Sequence, residues 1–352
     1  MTADFWRGRR VLITGVTGFK GGWLALWLRE LGAVVTGCSL PPPTVPSLFE
    51  AANVGGLVEW INVDVRDGAR LRQSVAARRP EIVFHLAAQP LVRASYELPV
   101  ETFETNVMGT VNLLDALRSQ ESVRAVVIVT TDKCYENREW LWPYREEDAL
   151  GGHDPYSSSK ACAEIATSAY YRSFYKARHV GVATARAGNV IGGGDWARDR
   201  LVPDIVAALA AKESAVVRNP TSVRPWQHVL EPLCGYLRLA EHLEADGDGF
   251  SGSWNFGPGS DSARPVSDLV ESLCSAWGEG ARWHSAQTPQ SHEATLLALD
   301  ASKARARLDW RPRIGLDDAL AWTVEWYKAF GSGADMREHS LRQIRRYEEL
   351  RS

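Results

Sequence analysis

The chain has 352 residues, 45% hydrophobic and 24% charged, with a formal net charge of -3 drawn from well-mixed signs. Those values fit a globular protein of one large domain or two smaller ones, and they argue against a basic nucleic-acid-binding face or a charged tail. The longest apolar runs are too short to cross a bilayer, so no membrane partner is expected. The opening "MTADFWRGRRVLITG" enters a strand almost at once and does not read as a signal peptide. Five cysteines without a C-x-x-C pair argue against a disulfide framework or a zinc site and for a reducing cytosol, hence a cytoplasmic protein. No metal is expected, and His85, His153 and His228 lack metal-ligand spacing; they read as packing or capping residues.

In chain order, "RRVLITG" reads as an apolar strand, "GWLALWLRELG" as an amphipathic helix stopped by Gly32, and "AVVTGCSL" as a second strand. The proline-rich "PPPTVPS" cannot continue a sheet. "LVEWINVDV" is a third strand, followed by the helix "GARLRQSVAARR", which Pro80 ends. "EIVFHLAA" and "VRAVVIVTT" are strands four and five, flanking a helix around "VETFETNVMGTVNLLDALRS". A further helix, "SSSKACAEIATSAYYRSFYKAR", leads to a sixth strand, "VGVATARAG". Continuous apolar strands alternating with helices indicate a parallel sheet covered on both faces, and right-handed crossovers make it doubly wound. Beyond about residue 188 Gly, Pro, Trp and Arg become frequent, and the pattern loosens into a smaller mixed lobe that includes the helix "LDDALAWTVEWYKAF". The expected division is 1–187 for a nucleotide-binding domain, with a returning segment at about 226–250, and 188–225 with 251–352 for a substrate-binding lobe.

Gly15, Gly18 and Gly21 stand between the first strand and the first helix with the spacing G-x-x-G-x-x-G. Glycines there permit a tight turn and let the backbone approach a pyrophosphate at the helix N-terminus. The acidic residue that commonly grips the ribose about 20 positions on is missing, since that place reads "GCSLPPP". No arginine for a 2′-phosphate is present either, so the segment leaves NAD and NADP open. Ser39 can pair with a ribose hydroxyl, and Asp64 either accepts from the adenine amino group or caps its own turn.

Tyr156 and Lys160 follow Pro155 at a spacing of i, i+4 and share one helix face. A phenol is a poor base at neutral pH. A nearby ammonium and a positively charged nicotinamide would favour the phenolate and lower its pKa. It could then take a hydroxyl proton while hydride leaves the same carbon. The fifth strand ends in Thr131, Asp132, Lys133, Cys134 and Tyr135. Strand ends of this kind face the ligand crevice of a doubly wound sheet. Thr131 suffices for simple oxidation, and Asp132 and Lys133 are surplus unless more protons move. The competing reading for Asp132 and Lys133 is a solvated ion pair. Cys134 and Tyr135 read as pocket wall, and Trp140 and Trp142 as a loop excluding water, as core, or as a subunit contact.

From "TGVTGFKG" through "DVRD", "FHLAAQ", "TNVMGT" and "YSSSK" to "SKARARLDWRPRIGLDDAL", nearly the whole chain resembles the extended short-chain dehydrogenase/reductases. Within that family "TTDKCYENREW", "DPYSSSKACAE" and "GGGDWARDRLVPD" are similar to nucleotide-sugar dehydratases, specifically those acting on CDP-glucose. The resemblance implies a Rossmann-type α/β fold and NAD as cofactor. It implies cofactor contacts from Gly15, Thr17, Gly18, Phe19, Lys20, Gly21, Ser39, Asp64, Val65, Leu86, Ala87, Ala88, Gln89, Asn106, Thr130, Tyr156 and Lys160. It implies catalysis by Thr131, Asp132, Lys133, Tyr156 and Lys160, and substrate contacts from Gln89, Thr131, Tyr135, Asn189, Arg218 and Arg224. The reaction implied is C4 oxidation of CDP-glucose, loss of water across C5–C6 and hydride return to C6, with Asp132 as the acid that releases water. For that acid to be protonated near neutral pH, burial must lift its pKa. Sister dehydratases usually carry Glu where Lys133 stands, so Lys133 is either the C5 base or a cation stabilising the enolate. A homodimer or homotetramer is implied, pairing helices 100–118 and 157–175. Rival readings are a nucleotide-sugar epimerase, a net oxidoreductase and a non-catalytic cofactor-binding regulator.

Overall fold

The structure is a computed structural model that describes residues 3–259, 263–286 and 297–350. Its strands in chain order are β1 Arg10–Thr14, β2 Val34–Ser39, β3 Glu59–Asn62, β4 Ile82–His85, β5 Ala125–Val129, β6 Gly181–Ala187, β7 Asn189–Ile191, β8 Ala215–Val217, β9 Val223–His228, β10 Gly252–Phe256, β11 Ala263–Pro265 and β12 Trp283–Ser285. Seven of them form one sheet in the order β10-β6-β5-β4-β1-β2-β3, with every neighbouring pair parallel. The order reverses between β1 and β4, which opens a crevice at the carboxyl ends of those strands. The central strands justify their runs of apolar residues: β5 and β6 are buried at every position.

All six strands expected from sequence are present. The seventh, β10, was not anticipated, and it lies in the range expected to belong to the smaller lobe. It follows the helix Leu230–Ala245, which packs against β5 and β6. Outside the seven-stranded sheet, β11-β9-β7 form a three-stranded sheet and β12 pairs with β8. Residues 260–262, 287–296 and 351–352 of the expected lobe lie outside the described residues.

The first helix, Phe19–Glu30, departs from its amphipathic reading. It is buried continuously from Gly21 to Leu28, including Trp23 and Trp27. The helix Met336–Glu349 covers its outer face, with Glu348 accepting from the Trp27 indole at 2.9 Å and Arg345 paired with Glu30 at 2.7 Å. A helix covered on two sides has no polar face to display. Gly32, at φ 85°, turns the chain back into β2 in a conformation that favours glycine.

Candidate active site

The glycine turn sits at the crevice between β1 and β4. Gly15 has φ 75°, and a Cβ there would lie 2.6 Å from the Ala87 backbone nitrogen. A Cβ on Gly21 would collide with the Gly15 carbonyl oxygen. The turn is therefore closed down to hydrogen atoms, and the helix beyond begins without an acidic residue in its first turn. That leaves a positive helix end facing the crevice. Thr17 is buried and donates to the Leu40 carbonyl at 2.9 Å, joining this turn to the end of β2.

At the adenosine end, Ser39 is buried and accepts from the Trp60 indole at 3.1 Å, which leaves its own hydroxyl proton to donate. Asp64 is bound on both oxygens by the Arg66 guanidinium and accepts from the Arg66 backbone N–H at 2.9 Å. Arg66 holds that carboxyl below its ordinary pKa. Of the two roles expected for Asp64, this structure contains the turn cap; an adenine contact would have to share the carboxylate with Arg66. Val65 is buried beside it.

Leu86, Ala87, Ala88 and Gln89 leave β4 as a half-buried loop along the crevice. Asn106 clamps that loop. Its side chain accepts from Gln89 N at 2.8 Å and donates to the Gln89 carbonyl at 3.1 Å and to Ser159 Oγ at 2.8 Å. It can do so because Glu104–Met108 is a π-helical turn within the expected helix, which swings the amide inward. The Gln89 side chain is occupied by Leu91 and Thr102, so it braces the loop and is not aimed at a ligand. Behind the loop His85 bonds Thr14 at 2.7 Å and Thr110 at 3.1 Å. Burial pushes its pKa down to about 3, so it is a neutral bracing group.

The catalytic candidates come together at the end of β5. The helix Pro155–Tyr170 is capped by Asp154, which accepts from Ser157 N at 2.9 Å, and it presents Tyr156 and Lys160 toward that end. The Thr131 hydroxyl lies close enough to the Tyr156 phenol to oppose the effect of burial on its pKa. Thr131 donates its single proton to Asp132 Oδ1 at 2.9 Å, and Lys133 Nζ lies 3.4 Å from the same oxygen. Hydroxyl, carboxylate and ammonium thus form one chain, with the phenol beside the hydroxyl. Asp132 is 1% exposed, and its Oδ2 is buried without a hydrogen-bond partner among the described residues. Such an atom is costly unless a ligand or a proton completes it. Gly188 leaves the space beside it, since a Cβ there would lie 3.1 Å from Oδ2. The solvated ion pair is excluded for Asp132, although the Lys133 side chain is one-third exposed.

The expected lowering of the tyrosine pKa is not found in the protein alone. Burial lifts it to about 12, and the neighbouring Thr131 hydroxyl offsets only part of that. Lys160 directs its ammonium to the Val129 carbonyl at 3.3 Å, and burial brings its pKa down to about 8.

Two expected residues sit differently. Tyr135 is fully buried; its hydroxyl donates to Asn255 at 2.8 Å and accepts from Arg186 at 2.7 Å, so it underlies the site and does not line it. Arg218 is held by Asp199 at 2.9 Å and Asp204 at 3.6 Å. A diphosphate would have to displace those carboxylates. Trp140 stacks on Tyr144 at 5.2 Å in a small core with Leu297 and Leu299, whereas Leu141 and Trp142 are exposed. Asn189 opens β7 half-buried beyond Gly188, and Arg224 is half-buried on β9, its guanidinium donating to the Val223 carbonyl at 3.0 Å.

Sequence reasoning missed Arg200 and the full role of Lys20. Arg200 pairs with buried Asp195 at 2.8 Å and lies within electrostatic reach of Tyr156 and Lys20. Burial, then Arg200 and Lys160, bring the Lys20 pKa down to about 7. A lysine inside a glycine turn was the available signal for a cationic pocket. Among the described residues no cluster of His, Cys, Asp and Glu could hold a metal ion.

Residues 12–323 match the family described as GDP-mannose 4,6 dehydratase. The chain is 52% identical over 349 residues to a CDP-glucose 4,6-dehydratase of Salmonella typhimurium strain LT2, covering 98% of this chain and 97% of that one. Among solved structures, a UDP-glucose 4-epimerase from Stenotrophomonas maltophila with bound NAD and formylated UDP-arabinopyranose superposes with TM-score 0.80 at 22% identity, over 93% of this chain and 100% of that one. A dTDP-glucose 4,6-dehydratase from Bacillus anthracis in complex with NAD gives 0.76 at 20% identity, over 93% and 99%. The two structures share the fold, and the 52% identity with the family match decides the membership: this chain belongs to the GDP-mannose 4,6-dehydratase family.

Proposed function

We propose that the protein is an NAD-dependent hydro-lyase that converts CDP-glucose to CDP-4-keto-6-deoxyglucose and water. The observation that carries the reading is the buried Asp132 Oδ2, which has no partner among the described residues, on a carboxylate bonded to Thr131 beside the Tyr156 phenol. An epimerase on the same scaffold needs the phenol and the hydroxyl but no second proton donor. The choice of CDP-glucose follows the 52% identical relative.

The crevice fits NAD by its own geometry, because the collapsed glycine turn leaves backbone and a positive helix end where a pyrophosphate would lie. When bound, NAD supplies the acceptor for the C4 hydride and the donor that returns it to C6. Tyr156, as the phenolate, takes the C4 hydroxyl proton, with Lys160 holding the charge and Thr131 the oxygen. The resulting ketone acidifies C5. Lys133 removes that proton, or as an ammonium stabilises the enolate that its loss creates. Asp132 protonates the C6 hydroxyl, which leaves as water. C5 is then reprotonated, so the sum is the loss of one water. Arg224, Asn189 and Arg218 face the diphosphate, Arg218 after exchanging its carboxylate partners.

Exposed Val100 and Met108 on one segment and Ile165 and Phe174 on another support pairing of these helices in a homodimer or larger homo-oligomer. Unpaired cysteines support a cytoplasmic location, and among the described residues no helix is long and apolar enough to cross a membrane.

The deciding experiment supplies CDP-glucose deuterated at C4 without a net oxidant or reductant. The expected product is a 6-deoxy-4-keto sugar carrying deuterium at C6, read by mass spectrometry and NMR. An unchanged sugar, or one inverted at C4, would discard the reading. A second prediction tests the cofactor cradle. Gly21→Ala must push the turn open and is expected to weaken NAD binding by roughly a hundredfold, about 2.7 kcal/mol. Calorimetric titration on folded protein checks it, and wild-type affinity in the variant would show that the dinucleotide lies elsewhere.

A further inference from the structure

Beneath the catalytic cluster lies a second charged group that the reaction does not use. Glu164 follows Tyr156 and Lys160 on the helix Pro155–Tyr170 at successive steps of four, so it continues the same face. It pairs with Arg186 of β6, and both side chains are 2% exposed. Glu164 Oε1 accepts from Thr130 Oγ1 at 2.5 Å and Arg186 Nε at 3.0 Å. Oε2 accepts from Thr184 Oγ1 at 2.6 Å and Arg186 Nη2 at 2.8 Å. The remaining guanidinium proton donors reach Tyr135 Oη at 2.7 Å, Ser253 Oγ at 2.8 Å and the Glu146 carbonyl at 3.1 Å. A buried ion pair adds little to stability compared with apolar residues of the same volume. This one is satisfied on nearly every lone pair and proton, and it ties the Tyr–Lys helix to the residue immediately before Thr131.

We propose that the Glu164–Arg186 pair is a positioning device for the catalytic centre. It locks the helix carrying Tyr156 and Lys160 against the end of β5, and Glu164 supplies the buried negative charge that keeps Lys160 an ammonium. The ionisable groups facing Lys160 are Tyr156 on its own helix, Glu164, Cys134 after β5, His85 at the end of β4 and Lys20 in the glycine turn. Burial leaves His85 neutral and Cys134 protonated, and Lys20 can only disfavour a second cation. Burial pushes the Glu164 carboxyl up, and Arg186 with the Thr130 and Thr184 hydroxyls outweighs this and holds it ionised. Glu164 is therefore the anion that opposes the desolvation of Lys160.

The proposal rests on the dehydratase reading for its catalytic consequence, but its direct readout needs no turnover. Lys160 is titrated by 13Cε NMR in the wild type, Glu164→Gln and Glu164→Asp. Removing the anion is expected to move the Lys160 midpoint down by about one pH unit, a tenfold change in its proton affinity. The Asp variant, which keeps the charge, should restore most of it. The alkaline limb of kcat should follow the same order, with KM for the nucleotide sugar little changed. A general loosening of the fold would lower activity at every pH and leave the limb in place. If Glu164→Gln does not fold, the double variant Glu164→Gln/Arg186→Gln, which leaves no lone buried charge, is titrated instead; its midpoint should move in the same direction by a smaller amount, because a cation leaves with the anion. An unmoved Lys160 midpoint in the folded variant overturns the proposal. Absence of a 6-deoxy product from the wild type overturns only the functional reading.

Discussion

The Asp132→Asn protein is expected to oxidise its substrate and stall. Asn has the shape of Asp, and its amide oxygen can still accept from Thr131, so the phenol and hydroxyl keep their geometry. What disappears is a group able to protonate the C6 hydroxyl at the position of Oδ2, the buried oxygen without a partner among the described residues. Loss of one positioned acid costs about 10²–10⁴-fold, so formation of the 6-deoxy product should fall by that range. C4 oxidation should persist, and the near-ultraviolet band of reduced nicotinamide should build up on mixing with CDP-glucose. The wild type should show no such build-up in the steady state, because the hydride is returned. The variant should fold at least as well, since it removes a buried carboxylate whose desolvation is only partly met. A 6-deoxy product formed at near wild-type rate would remove Asp132 from the mechanism.

How much of this was legible in the sequence depends on how local the signal is. Strands β1, β2, β4, β5 and β6 announce themselves because each is a short apolar run bounded by turn residues, and the alternation with helices gives the parallel order. The candidate catalytic residues were legible for the same reason: Tyr156 and Lys160 are one helical turn apart, and Thr131 to Lys133 are consecutive. β10 was missed because "GSWNF" reads as a loop segment until the six strands whose edge it joins are in place. The all-round burial of the first helix could not be inferred either, since its cover arrives from Met336–Glu349, more than 300 residues later. Tyr135 was misread because its neighbours are long-range: Asn255 and Arg186 take the phenol. The carboxylates of Asp199 and Asp204 that hold Arg218 were equally out of view in the sequence. Glu164 and Arg186 were passed over altogether. In sequence they are an ordinary helical acid and an ordinary strand base, and only the fold makes them a buried pair.

Tyr156→Phe is the complementary experiment, and its expected outcome is the reverse of the stalled acid variant. Without the phenol the C4 hydroxyl proton has no acceptor, so oxidation itself should fall by about 10²–10⁴-fold, with no reduced nicotinamide and no product. The pH behaviour carries a sharper test. In the protein alone burial holds the Tyr156 pKa near 12, whereas Lys160 gives up its proton near 8. A phenolate needs pH above its pKa and an ammonium needs pH below its own, so at no pH is the useful pair of charge states abundant in the protein alone. A positive charge arriving against the phenol must close that gap from the tyrosine side. The phenolate absorbance of the wild type minus that of Tyr156→Phe should therefore titrate near pH 12 without cofactor. With oxidised NAD bound it should titrate well below that value, while NADH, lacking the ring charge, should leave it nearly in place. A midpoint that ignores the cofactor's charge would mean that the phenol and the nicotinamide do not meet, and the base would have to be sought elsewhere in the crevice.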